Sequence, residues 1–138
     1  MRSQNKIIGR QGEKIAEEYL EKNGYQIIDK NFYCRFGEID IIAKKGKEVV
    51  FIEVKTRKQI KYGNAAESVT RCKQNHIYKA AEIYTYIHVL YDTPISLDVI
   101  EIYLFDDKET RIEHIKNAII SNPNKTFRKR GIYENKMY

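Results

Sequence analysis

The sequence predicts an α/β domain: a mixed sheet of four to five strands flanked by helices, in the order helix, three strands, helix, strand. Apolar residues recur at helical spacing in two stretches, residues 8–23 and a run of about 20 residues through Val69, Cys72, His76, Ile77, Ala80, Tyr84 and Ile87. Around the second stretch lie runs rich in β-branched and aromatic residues, three before it and one after Pro94. A strand, a helix and another strand in succession imply a crossover, so the sheet is mixed.

In the first helix the apolar set is Ile8, Ile15, Ala16, Tyr19 and Leu20, with Gly24 as the stop. The strand-like runs are YQIIDKNFYC, GEIDIIAKK and EVVFIEVKTR, and the single glycine of KKGKE between the last two signals a hairpin. A polar loop leads into the second helix, and ISLDVIEIYLF reads as the fourth strand. The segment RIEHIKNAII fits a short strand or a helix. Residues 1–120 form the domain. Residues 121–138 hold five basic residues against one acid and read as a basic, flexible tail.

A chain of 138 residues can bury a core without disulfides. Cys34 and Cys72 have no CxxC spacing, which argues against a zinc site and for two reduced, structural thiols. No window approaches the roughly 20 apolar residues of a membrane span, and the start has no signal-peptide core, so the expected place is the cytoplasm. The 25 Lys and Arg outnumber the 19 Asp and Glu, a net +6 that suits a polyanionic partner.

The chemistry concentrates in GEIDIIAKKGKEVVFIEVKTR. Charges inside apolar strands are costly unless paired or bound. Alternation puts Glu38, Asp40 and Ile42 on one face of their strand, opposite Ile39, Ile41 and Ala43. In the next strand Val49, Phe51, Glu53 and Lys55 share a face. Early in one hairpin strand is beside late in the other, so Asp40 can meet Glu53 and Lys55 at one end of the sheet. Two close carboxylates repel unless a cation or proton intervenes. Oxygen ligands suit Mg²⁺ or Mn²⁺, and a lysine on the same face could serve a metal-bound water or a phosphate. A structural ion-pair cluster remains the alternative.

The segments GRQGEKIAEEYLEKNGYQIIDKNF, GEIDIIA and VVFIEVKTR resemble the YraN family of small bacterial proteins, over about Gly9 to Ile119. That family is grouped with the PD-(D/E)xK, restriction-endonuclease-like nucleases, related to archaeal Holliday junction resolvases. The resemblance implies a restriction-endonuclease-like sheet, with the motif aspartate at Asp40, the E-x-K pair at Glu53 and Lys55, and a first-helix glutamate at Glu13. Ile39 stands where the superfamily has proline. It further implies Mg²⁺ or Mn²⁺ held by Asp40 and Glu53, with the Val54 carbonyl as a third ligand, and Lys55 serving the attacking water. The implied activity is hydrolysis of phosphodiester bonds in DNA, rather than RNA, including branched DNA. A homodimer follows by analogy with enzymes that cut two strands. A nucleic-acid-binding module that keeps the fold without turnover is the second reading, and a protein-interaction module the third.

Several further residues have assigned expectations. Arg10, Arg57, Lys58, Lys61, Arg71 and Lys73 would form a basic rim for the polyanion. Gln74 and Tyr78 match a Q-x-x-x-Y pattern seen in some nuclease branches. Glu38 supports Asp40 or is a surface charge. Asp98 is expected to pair with a buried donor in a structural role, and His76 to be a core histidine. The other tyrosines are expected in the core.

Overall fold

In the computed structural model, which describes residues 2–58, 71–105 and 109–119, one five-stranded sheet lies between two helices. Its elements are α1 (Arg2–Lys22), β1 (Gln26–Cys34), β2 (Gly37–Lys45), β3 (Glu48–Lys58), α2 (Arg71–Ile87), β4 (Ile95–Leu104) and β5 (Arg111–Ile115). The spatial order is β1-β2-β3-β4-β5. Only β3 and β4 run parallel, because α2 carries the chain across between them. The expected α/β order is observed, and the ambiguous segment near residue 111 resolves as the edge strand β5. Residues 59–70 and 121–138, with Lys61, Val69 and the basic tail, lie outside the described residues.

Both faces of the sheet are covered, so the central strands are apolar on both sides. Ala16 and Leu20 of α1 close over Ile41, Ala43, Val50, Ile52, Ile100 and Ile102. Ile77, Ala80, Ala81 and Tyr84 of α2 close over Ile39, Ile42, Val49, Phe51, Leu97 and Val99. Helix α1 begins at Arg2, six residues before its apolar pattern does. It ends in a left-handed glycine: Gly24 has φ +85°, and Tyr25 N donates to Leu20 O at 2.9 Å. Leu20 and Tyr25 are both buried, the apolar contact that accompanies this stop. Gly46, with φ +60°, opens the two-residue turn between β2 and β3.

Helix α1 approaches β3 closely at Gly12. A Cβ there would overlap Thr56 Oγ1 and lie 2.9 Å from Thr56 Cβ. Overpacking at such a site costs about 1–3 kcal/mol. Urea denaturation of Gly12→Ala should therefore show that loss, and Thr56→Ala in the same chain should recover much of it. An unchanged midpoint in Gly12→Ala would contradict the tight contact.

Three expectations need correction. Ile39 packs on the α2 side, opposite Ile41 and Ala43, so strict alternation fails within β2. His76 is exposed on α2, its Nε2 4.0 Å from Cys72 Sγ, because its position falls beside the buried stripe of Ile77, Ala80 and Ala81. Cys72 is exposed as well, whereas Cys34 packs against the α2-side core. No described helix is long and apolar enough to cross a membrane.

Candidate metal centre

The failure of alternation in β2 has a local cause. Asn31 of β1 falls opposite Asp40, between the pairs Phe32↔Ile39 and Lys30↔Ile41, and has φ +53°. Asparagine tolerates this left-handed conformation better than most residues. Phe32 and Ile39 lie on the α2 side, while Ile41 lies on the α1 side. Such an irregularity re-aims side chains, although the pairing of β1 with β2 resumes at Phe32↔Ile39. The β2–β3 ladder stops at Ile41↔Ile52. Beyond it, Val54 N donates to Asp40 Oδ2 at 2.8 Å, so a side-chain carboxylate takes over from a backbone acceptor.

That hydrogen bond fixes Asp40 beside Glu53. A strand residue sends its N–H and C=O out on the same edge. The Val54 carbonyl therefore shares the edge on which Val54 N meets Asp40. Asp40, Glu53, Val54 and Glu13 line one cleft of about 290 Å³, together with Ile8, Gly9 and Thr56. The structure thus brings Glu13, Asp40, Glu53 and Val54 together.

Glu53 is buried, only 7% exposed, and its Oε2 has no hydrogen-bond partner among the described residues. Lys73 Nζ, from α2, is 3.7 Å away, close enough to attract but too far to bond. Burial first, then a hydrogen bond and repulsion from Asp40, push the Glu53 carboxyl up to about 8, against the pull of Lys73 and Lys55. Glu13 is raised too, by burial and then by the charges of Asp40 and Glu38. A buried acid that holds its proton beside a second carboxyl, with an orphaned oxygen, is what an oxygen-loving divalent cation would relieve. Asp40 and Glu53 fit Mg²⁺ or Mn²⁺, which typically take one or two carboxylates and complete the shell with water and phosphate. Among the described residues no group of three His, Cys, Asp or Glu side chains converges in a form that would hold a metal unaided.

Lys55 is half-buried, two residues beyond Glu53, and feels its charge. Lys73, expected on the phosphate rim, reaches the acid itself. Arg57 is not part of a free rim: its Nε donates to buried Glu101 Oε2 at 3.1 Å, which also accepts from Tyr103 Oη at 3.1 Å. Arg10, Lys58 and Arg71 are exposed. Gln74 is half-buried, and Tyr78 packs on the α2-side core. The sequence reading missed Gly12, Asn31 and Thr56, whose roles depend on tertiary contact and backbone conformation.

The raised Glu53 has a consequence for stability. The folded chain keeps this proton up to about pH 8, whereas an unfolded glutamate releases it near its ordinary 4.5. The stabilisation is therefore full below that lower value and fades as pH rises through the interval. Without divalent cations, Glu53→Gln should be more stable than the wild type at pH 8, by about 2–4 kcal/mol, and the gap should close near pH 5. Thermal melts at the two pH values in EDTA check this; an equal gap at both would exclude it.

The profile of Uncharacterised protein family UPF0102 matches residues 12–102. This chain is 49% identical over 116 residues to a UPF0102 protein of Caldicellulosiruptor bescii, covering 82% of this chain and 97% of the relative. It is 47% identical over 114 residues to one of Geobacter sulfurreducens, covering 83% and 89% respectively. With one of Clostridium perfringens it shares 46% identity over 119 residues, covering 86% and 98%. The resemblance to the YraN family is consistent with these matches. The matched span includes Gly12, Glu13, Asp40, Glu53 and Lys55, and the chain belongs to Uncharacterised protein family UPF0102.

Proposed function

We propose that the chain is a Mg²⁺- or Mn²⁺-dependent nuclease that hydrolyses phosphodiester bonds in DNA, including branched or structured DNA. The carrying observation is the buried Glu53 Oε2, without a hydrogen-bond partner among the described residues, beside Asp40. In this reading Asp40 and Glu53 hold the cation and the Val54 carbonyl lies on the same edge. A cation bound there supplies Lewis acidity to a phosphodiester and acidifies a bound water. Asp40 is oriented by Val54 N. Glu53 must give up its proton for the site to fill, and Lys55 and Lys73 favour that loss. Lys55 then orients the attacking water, and Glu13, which lines the cleft with Asp40 and Glu53, assists it. Lys73 and the exposed Arg10, Lys58 and Arg71 hold the flanking phosphates.

The proposed setting is the cytoplasm, with a homodimer for any cut made on two strands. The test is cleavage of labelled linear duplex, single strand, flap and four-way junction with Mg²⁺, Mn²⁺ or EDTA. Cuts that need the cation support the enzyme and name its substrate. A second reading keeps the nucleic-acid binding without turnover, and the raised Glu53 carboxyl beside Asp40 favours it, since a proton can take the place of a cation there. Binding without cuts under every metal would select that reading.

A further inference from the structure

The nuclease reading leaves unused a set of residues on the β1–β2 hairpin. Most large apolar side chains of the described residues are buried, yet Tyr33 is 71% exposed. It lies opposite Glu38 in the β1–β2 register. Cross-strand partners share a face, so the tyrosine ring stands beside Glu38, and Asp40 is two residues farther along the same strand. A diagonal neighbour of that kind is about 7–8 Å away. The charge of Glu38 raises the Tyr33 phenol, and Glu13 and Asp40 add to the effect. The ring is thus open to solvent beside the acids of the carboxylate cleft.

Two residues on, the hairpin turn presents cations. Arg35 Cζ is 4.9 Å from the centroid of Phe36, and Lys79 Nζ of α2 is 5.1 Å from it. Gly37, which follows, lies against His76 of α2. One aromatic ring therefore gathers two positive charges where the hairpin meets the helix that carries Lys73. Phe32 and Cys34 pack on the α2-side core, so Tyr33 between them faces the α1 side, while the cations around Phe36 face α2. A single strand would pass round the hairpin tip, with a base stacked on the ring and the backbone following the charges.

Resting on the nuclease reading, we propose that the β1–β2 hairpin is a single-strand-binding element of the site, in which Tyr33 stacks an unpaired base next to the scissile phosphate while Arg35 and Lys79 contact the flanking backbone. A duplex offers no free base face to Tyr33, so the element selects frayed, flapped or junction-centre nucleotides over continuous duplex.

The test is binding of a fluorescent dT20 strand, and of a 20-base-pair duplex, to the full chain in Ca²⁺ without turnover. Tyr33→Ala should weaken dT20 binding on the order of 5- to 150-fold and leave the duplex within twofold. Tyr33→Phe keeps the ring and should retain most of the affinity. Lys79→Ala should weaken both ligands and lower the salt slope. A strand carrying 2-aminopurine adds a readout that a structural role would not move: its fluorescence should be quenched by the wild type and recover in Tyr33→Ala. Equal loss on both ligands, or none, overturns the hairpin assignment and leaves the nuclease reading standing. A wild type that binds neither oligonucleotide overturns both.

Discussion

Asp40→Asn should lower metal-dependent cleavage on the order of 10³-fold while leaving the fold nearly intact. The substitution keeps an oxygen for Val54 N, which now bonds Asp40 Oδ2 at 2.8 Å, and removes only the charge. It also removes the repulsion that raises Glu53, so that carboxyl should ionise at lower pH. The variant therefore separates chemistry from packing. Asp40→Ala does not: it leaves the Val54 N–H without its acceptor, a loss of about 1–3 kcal/mol. Initial rates on the preferred substrate, with thermal melts alongside, read both effects. An Asp40→Asn enzyme within tenfold of wild type would remove Asp40 from the metal site.

The largest effect on stability should come from the other buried aspartate. Asp98 lies in β4 on the α1 side, and its Oδ2 is 2.7 Å from His114 Nε2 of β5. Asp98 Oδ1 accepts from Asn117 N at 3.0 Å and from Ser96 Oγ. On its other edge the histidine meets the Tyr19 hydroxyl of α1 through Nδ1, at 3.0 Å. The side chains of His114 and Asp98 are only 5% and 2% exposed. This chain of bonds ties the helix that carries Glu13 to the far edge of the sheet. Asp98→Ala leaves His114 Nε2 and Asn117 N without their acceptor, while Ser96 Oγ keeps Asn117 Oδ1, and the loss should cost about 3–5 kcal/mol. For a domain of this size that lowers Tm by roughly 10 °C or more. A fall of less than 2 °C would mean that the network contributes little to holding α1.

The sequence made some of this legible and concealed the rest, for identifiable reasons. Asp40 and Glu53 could be paired because hairpin geometry brings early and late positions together, and both acids interrupt apolar runs. The structural role expected for Asp98 rested on the same reasoning, an acid on an apolar strand face, and the contacts agree with it. Its distant partners were not readable: His114 and Asn117, with Tyr19 behind the histidine, lie outside β4 and meet Asp98 only after folding. Alternation misplaced Ile39 because it assumes an unbroken pleat, and the left-handed Asn31 opposite Asp40 breaks it. Periodicity placed His76 one position too far into the helix's buried stripe. Charge type could mark Arg57 and Lys73 as basic but not show that acids, Glu101 and Glu53, stand beside them.

The central claim is that the Asp40–Glu53 cleft binds a divalent cation, and calorimetric titration of the metal-free protein with Mn²⁺ tests it most directly. Run at pH 7 in buffers of different ionisation enthalpy, it should show one ion per chain with release of a proton, because Glu53 holds one until the cation arrives. Binding should be lost in Asp40→Asn. No heat of binding in any buffer, or equal binding by the variant, would contradict the account.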